Sequence, residues 1–577
     1  MSIKSNAALI GLLHSLLNIN AVTEPVIPFV PKPDFDPSAL SSKLPHARPE
    51  QMGVSSSRIY DFLKELNRFR ELDMHGVTVL RDGVVIGEYG FGGYDRSVWQ
   101  LTYSECKSIT SLAIGMLIDE GRLSIDENVA DIFGKRPNLI ELLRGKRLTV
   151  RNLLTMTGGA MFCEPNSAAS LDWISDFLES APLSEPGKKF IYNSLNTYML
   201  SAIVHEKTGS GLTEYLTPRL FEPLGINQVY WERCPAGIEK GGWGLFIRPM
   251  DLAKIGQLVM DKGVYGGRRL ISENWITQAT TAQVKVPPAY GNFDYGFQIW
   301  CGRDTDSFLF NGMFGQNVIG WFKSRVLLVT NAGSEESFQQ GPFYGIAEKY
   351  FSDPSKLSSP AKSILARARD SHDVRRSISG RNERGPIPLS KIRKLCRELN
   401  GKRCERAEPS PVTGLYPFIM QATQNNFSGG VTALGFEYTG SLLYLTIEEK
   451  GARNRIPVGI KDYARSTVEY HGEHQLVAAK ARFGVTENGD AIIGIRISFL
   501  EVPSSRLIKL TLRGAKACAG ESVRTVWSEK PGSRYLTALF DVMKERIHSI
   551  PGISLSGEKL SGPADRLIDR PVTFIWK

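Results

Sequence analysis

The stretch TYSECKSITSLAIGMLIDEGRL, Thr102 to Leu123, sets Ser104 and Lys107 three residues apart at the front of a helical pattern. A serine at a helix N-terminus lies where backbone N–H groups point outward and can stabilise developing negative charge. A lysine one turn inside sits near the positive end of the helix dipole. Desolvated as well, it loses its preference for the ammonium form, and the neutral amine can take the serine's proton. A Ser-Lys pair can thus do the work of a Ser-His pair. The same spacing also suits an ordinary solvated face. Ile109, Leu112, Ala113, Met116 and Leu117 form one apolar stripe, with Ser104, Lys107, Ser108 and Ser111 opposite it.

Two further segments carry complementary chemistry. PGKKFIYNSLNTYMLSAIVHEKTG places Tyr192, Asn193 and Ser194 just before an apolar helical pattern, and FLFNGMFGQNVIGWF has a glycine-rich entry, Gly312 to Gln316, at a strand start. A serine-lysine enzyme needs a third group to relay protons, for which a tyrosine hydroxyl suits. It also needs a second oxyanion donor. An edge strand with a glycine would let a substrate carbonyl approach its backbone N–H.

These groups need elements to hold them. HGVTVLRDGVVIGEYGFG predicts a hairpin turning at Asp82-Gly83, and VIGWFKSRVLLVTNAG a second, returning one. Helical patterns start near residues 105, 149, 170, 195 and 250, so helices packed on an antiparallel sheet are expected. After residue 410 the alternating runs SGGVTALGFEYTGSLLYLTIEEK, LVAAKARFGVTENGDAIIGIRISFLE and RLIKLTLRG predict a smaller antiparallel β domain, with one late helix around YLTALFDVMKERI.

In order and in context these segments resemble the serine β-lactamase-related hydrolases: class C β-lactamases, D-alanyl-D-alanine peptidases, esterases and 6-aminohexanoate-oligomer hydrolases. Ser104-Glu-Cys-Lys107-Ser108 fits the S-x-x-K-S box. LTVRNLLTMTGG, Tyr192-Asn193-Ser194 and GGWGLFIRPMDLAKIGQLVMDKGVYGGRRLISENWI resemble the family's following segments. The resemblance implies an α+β fold, with an antiparallel sheet flanked by helices and an all-helical subdomain. It implies Ser104, Lys107 and Tyr192 as catalytic residues, and Ser194, Gly315 and Gln316 at the oxyanion and substrate position. It requires no metal or cofactor. Two positions depart from the family's pattern. The second box ends in Ser194 rather than Asn, and Met313-Phe314-Gly315 stands where a box beginning with Lys or His is usual. A thioether cannot supply the cation that holds a substrate carboxylate, so a less charged ester or amide is the expected substrate.

A chain of 577 residues exceeds one ordinary core, and its 42% apolar and 10% aromatic content is that of a globular protein. The expected parts are an N-terminal extension (1–47), a hydrolase domain (48–350), a basic linker (351–410) and a β-rich domain (411–577). The net charge of +10 is concentrated in the linker: Phe351 to Pro409 holds 15 Lys/Arg against seven Asp/Glu. The run RRSISGRNERGPIP has no interleaved aromatics, which argues against nucleic-acid binding. Seven scattered cysteines without a C-x-x-C pair suggest neither a disulfide framework nor zinc. The first 21 residues fit an export signal poorly and are too short to span a bilayer. A cytoplasmic serine hydrolase is therefore expected; the competing readings are a non-catalytic ligand-binding or sensor protein on the same fold and an exported cell-wall peptidase. His471 and His474 read as a solvated turn, Lys207-Thr208-Gly209 as a helix end, Cys106 as a packing residue, and Trp243 and Tyr295 as pocket wall or core. Whether the C-terminal domain covers the cleft, pairs subunits into a homo-oligomer or binds a ligand stays open.

Overall fold

The computed structural model describes residues 27, 29–69, 71–135, 147–168, 170–335, 341–359, 383–384, 388–407, 414–424, 426, 428–513, 518–532 and 570–577. Residues 1–21, a poor fit to an export signal, and the expected late helix (535–547) lie outside these residues, as does most of the basic stretch. Within that stretch, residues Leu389–Leu399 form a helix and Arg403–Arg406 a strand.

The first sheet is built from β1 (Met74–Arg81) and β2 (Val84–Gly90), joined at Asp82-Gly83, where φ is +50° and +76°. Positive φ at both positions twists the turn to match its strands. Three smaller strands follow: β3 (Gln100–Leu101), β4 (Tyr230–Trp231) and β5 (Leu245–Ile247), which pair in the order β3-β5-β4. A small ribbon, β6 (Val264–Tyr265) with β7 (Arg268–Arg269), leads to β8 (Phe293–Tyr295), β9 (Trp300–Gly302), β10 (Ser307–Gly312), β11 (Gln316–Trp321) and β12 (Val326–Ala332). The large sheet runs β2-β1-β12-β11-β10-β9-β8, and each neighbouring pair is antiparallel.

The helices that frame the site are α1 (Ser56–Leu66), α2 (Lys107–Asp119), α3 (Ser194–Thr208), α4 (Pro249–Met260) and α5 (Pro342–Phe351); α1 and α5 pack on one face of the sheet and α4 on the other, with α2 and α3 in the same apolar core as α4. Along β12 the side chains alternate. Leu327 and Val329 pack into the core shared with α2, α3 and α4, while Val326 and Leu328 pack with α1 and α5. The two-residue period of a strand thus gives each face its own apolar layer. On α1, Ile59, Phe62, Leu63 and Leu66 supply the i, i+3, i+4, i+7 stripe.

The C-terminal strands make a second antiparallel sheet, in which the strands Glu473–Thr486, Ala491–Phe499, Ser504–Leu512 and Ser522–Lys530 are consecutive neighbours. Its apolar core reaches across the expected domain boundary. Tyr94, Trp99, Leu101, Tyr103, Phe246 and Phe314 pack in the same cluster as Phe499, Leu500 and Val502. His471 turns the hairpin between Ala464–Tyr470 and Glu473–Thr486 at φ +51°, and its Nδ1 lies 2.8 Å from Asn426 Oδ1. Among the described residues no helix is long and apolar enough to cross a membrane.

Candidate active site

Ser104 does not begin the α-helix. It sits in a 3-10 turn, Tyr103–Cys106, that feeds directly into α2 at Lys107. Tyr103 opens the turn at φ +49°, a conformation that costs a bulky residue free energy and persists only where the surroundings fix it. Here they do. The Thr102 N–H donates to Leu245 O (2.9 Å), and the Tyr103 ring meets Phe314 edge-on at 5.2 Å.

The polar stripe of α2 is not solvated. Lys107, Ser108 and Ser111 are all buried. Two loops cover them: Ser108 Oγ donates to Gln298 O (2.9 Å), and Thr110 Oγ1 donates to Gly241 O (2.9 Å). Lys107 Nζ has three acceptors, Ser104 Oγ at 2.7 Å, Ser194 Oγ at 2.9 Å and Gly242 O at 2.6 Å. Desolvation lowers its pKa from the ordinary 10.5 to about 8, against the smaller opposing pull of Cys106 and Glu164.

Tyr192 lies across the same amine, with Lys107 Nζ 5.2 Å from its ring centroid. Burial raises the phenol far above its usual range, and a hydrogen bond with Ser104 works the other way. The ring stacks on Trp300 at 5.9 Å, with Tyr290 beside both. Ser194 begins α3, and Asn193 caps that helix, its Oδ1 accepting the Leu195 N–H at 2.9 Å. The chain thus turns Tyr192 and Ser194 toward Lys107 while Asn193 is held by the loop behind, donating to Phe162 O at 2.8 Å.

Gly315 and Gln316 are also close to the nucleophile turn. Residues Met313–Gly315 form the turn between β10 and β11, with φ of +67° at Phe314 and +92° at Gly315. A Cβ on Gly312 would stand 2.1 Å from Thr102 O and 3.1 Å from Glu105 N, so β10 ends directly against the Ser104 turn. β11 is not the edge strand expected from the sequence. It lies between β10 and β12, and the edges of the sheet are β2 and β8. The approach instead comes from the β10–β11 turn. The Gln316 side chain points into the sheet, donating to Ala332 O (2.7 Å) and accepting from Asn331 Nδ2 (3.1 Å), which leaves its backbone as the part that can face the site.

Sequence reasoning missed two contributors. Gly242 supplies the third acceptor for Lys107, and a Cβ there would meet Ser194 O at 2.7 Å. The Gly241-Gly242 pair was a turn signal, but nothing local tied it to Lys107. Glu164 accepts the Ser194 N–H at 2.7 Å and adds its negative charge to the surroundings of Lys107 and Tyr192. It lies outside every recognised box. Of the residues set aside, Cys106 is buried, its thiol donating to Tyr103 O and Gly241 O and pushed up to about 12 by burial. Tyr295 is core, and Trp243 stacks half-buried on Trp173 at 5.6 Å. Lys207-Thr208-Gly209 ends α3, with Gly209 at φ +74°.

Residues 68–340 match the protein-family model described as Beta-lactamase. This segment belongs to the beta-lactamase family. Its antiparallel sheet between helical layers is the β-lactamase/transpeptidase-like fold expected from the boxes. The 6-aminohexanoate-dimer hydrolase of Paenarthrobacter ureafaciens is 25% identical over 323 residues, 50% of this chain and 80% of that protein. A putative D-alanyl-D-alanine carboxypeptidase of Escherichia coli K12 is 28% identical over 178 residues, 28% of this chain and 41% of its own. A solved structure named a putative 6-aminohexanoate-dimer hydrolase from Bacillus anthracis is 20% identical and covers 59% of this chain and 92% of that one, at a TM-score of 0.44. Family and relatives alike are those of serine hydrolases.

Proposed function

We propose that this chain hydrolyses carboxylic esters or amides of low charge through an acyl-enzyme on Ser104. The observation that carries the reading is the 2.7 Å hydrogen bond between Lys107 Nζ and Ser104 Oγ, made by a buried amine whose pKa is held near 8. At that value a useful fraction of Lys107 is neutral near physiological pH and can act as general base.

In the proposed cycle Ser104 Oγ bonds to the substrate carbonyl carbon as its proton passes to Lys107. Backbone N–H groups of Ser104 and Gln316 hold the oxyanion, with Gly315 opening the space beside them. The carbonyl re-forms as the bond to the leaving oxygen or nitrogen breaks, and that atom receives the proton by way of Tyr192. Water then attacks the acyl carbon, gives a proton back through the same groups and frees Ser104 with release of the acid. Ser194 holds Lys107 in place throughout. The names of the relatives, hydrolases of an aminohexanoate dimer and of a D-alanyl peptide, support the amide side of this class. Met313 stands where a carboxylate-binding cation would be expected, which favours substrates without a carboxylate beside the scissile bond.

The test is a serine-reactive fluorophosphonate with a panel of short p-nitrophenyl esters, linear amide oligomers and a chromogenic cephalosporin. Wild type should label and turn over esters or amide oligomers, and Ser104→Ala should do neither. Absence of labelling in both would replace the enzyme by a ligand-binding protein on the same fold. Hydrolysis of the cephalosporin alone would overturn the argument from Met313.

A further inference from the structure

We infer that the C-terminal sheet is part of the catalytic apparatus, with Glu501 the positioning residue that fixes the Trp99–Leu101 approach to the Ser104 turn. The inference rests on the proposed hydrolase only for its effect on rate; the positioning itself is a property of the fold.

The segment that delivers the nucleophile runs along the C-terminal sheet. Ser498 Oγ donates to Gly92 O at 2.8 Å, and the Tyr94 hydroxyl donates to Ser504 O at 2.9 Å. Five residues on, Trp99 Nε1–H donates to Glu501 Oε1 at 2.6 Å, and the Leu101 N–H donates to Glu501 O at 2.8 Å. β3 is only two residues long. Gln100 and Leu101 pair with Ile247 and Phe246 of β5, and the Glu501 carbonyl holds the strand through Leu101 N–H. Three residues beyond Leu101 the chain reaches Ser104.

Glu501 is itself fixed. It lies in the turn between the Ala491–Phe499 and Ser504–Leu512 strands and is buried. Its Oε1 lies 2.9 Å from Lys32 Nζ, a lysine of the N-terminal extension that is buried too, and its Oε2 accepts the Leu476 N–H at 2.8 Å. Lys32 also donates to His474 O at 2.9 Å and lies 5.9 Å from the centroids of Trp99 and Phe246. One carboxylate thus joins the N-terminal extension, the C-terminal sheet and the approach to the nucleophile. A buried charge with every oxygen engaged cannot shift without leaving a donor unpaired, which makes it a stiff anchor. Packing supports the same conclusion. Tyr103, held at positive φ beside Ser104, and Phe314, in the turn before Gln316, pack in one apolar cluster with Phe499, Leu500 and Val502. Both turns that would meet the substrate carbonyl therefore lean on the C-terminal sheet.

The experiment compares full-length wild type, Glu501→Gln and Trp99→Phe by backbone hydrogen exchange and by steady-state ester hydrolysis. Glu501→Gln presents an amide N–H₂ to a donor that the carboxylate had satisfied; Trp99→Phe keeps an aromatic six-membered ring but loses the indole N–H together with the five-membered ring that carries it. Exchange across residues 99–106 should quicken about tenfold while α4 is unchanged, and kcat should fall several-fold with KM within about twofold of wild type. Removing both buried charges in Lys32→Met/Glu501→Gln should restore part of the loss. Unchanged exchange at 99–106, or an equal rise throughout the chain, would overturn the positioning role, as would a change confined to KM. If wild type hydrolyses nothing, the hydrogen-exchange comparison still decides the bracing and only the proposed chemistry falls. Should Glu501→Gln not fold, Trp99→Phe decides by the same readouts.

Discussion

Varying the pH tests the Lys107 base directly. Burial places its pKa near 8, so about one tenth of the amine is neutral at pH 7 and about nine tenths at pH 9. If the neutral amine is the base, kcat/KM for an uncharged p-nitrophenyl ester should rise tenfold per pH unit at low pH and level off above an inflection near 8. Rates at pH 7 should then be roughly a tenth of the plateau. Glu164→Gln sharpens the test. The glutamine oxygen can still accept the Ser194 N–H, but the negative charge that favours the ammonium is gone. The inflection should therefore move to lower pH, raising the pH 7 rate relative to the variant's own plateau by roughly two- to threefold. The measurement is kcat/KM from pH 5.5 to 10, corrected for spontaneous hydrolysis. An inflection near 10.5, as for a solvated lysine, would refute the reasoning. So would an inflection that rises in Glu164→Gln.

Two further outcomes follow from the same geometry. Gly242→Ala puts a methyl group 2.7 Å from Ser194 O and must displace the loop that holds Lys107, so kcat should fall about a hundredfold, with melting temperature as the control for folding. Glu105 is fully buried between Ser104 and Cys106, and among the described residues neither of its carboxylate oxygens has a hydrogen-bond partner. Burial raises its pKa well above the usual carboxylate range, with Arg96 opposing. The folded chain therefore keeps this proton after the unfolded chain has released it. Its contribution to stability is complete below the unfolded carboxylate pKa, about 4.3, and is lost as pH rises toward and through the folded value. Glu105→Gln should be more stable than wild type by about 1–3 kcal/mol at pH 7.5, with the gap closing near pH 4, as read from denaturant unfolding.

Ser104 and Lys107 could be proposed as a pair from the sequence because the chemistry of a serine-lysine pair is written in local spacing and residue type, whereas Tyr192 was proposed through the family resemblance, and the structure brings all three together. The two hairpins were equally local, as Asp82-Gly83 shows. What escaped was assembled at long range. Gly242 reaches Lys107 from a loop 135 residues away, and Glu164, at the start of a one-turn helix, meets the Ser194 N–H 30 residues on; neither lies in a pattern with period 2 or 3.6. The polar stripe of α2 looked solvated because a polar run has the same composition whether water or a glycine loop covers it. Only Gly241 and Gln298, arriving from elsewhere, decide that it is buried. Nothing in the sequence assigns Trp99, Leu101 and Tyr103 to the C-terminal cluster they join, since apolar residues carry no mark of which core they belong to.

The carbonyl of Gly242 has a consequence for the direction of proton flow. A carbonyl oxygen can only receive a hydrogen, whereas the hydroxyls of Ser104 and Ser194 can give one or take one. Once Lys107 is neutral, it keeps two hydrogens and one lone pair. One hydrogen is committed to Gly242, so the lone pair must point at one of the two serines. The glycine loop therefore works as a polarity key: without entering the chemistry, it forces the amine to present its basic side to a hydroxyl.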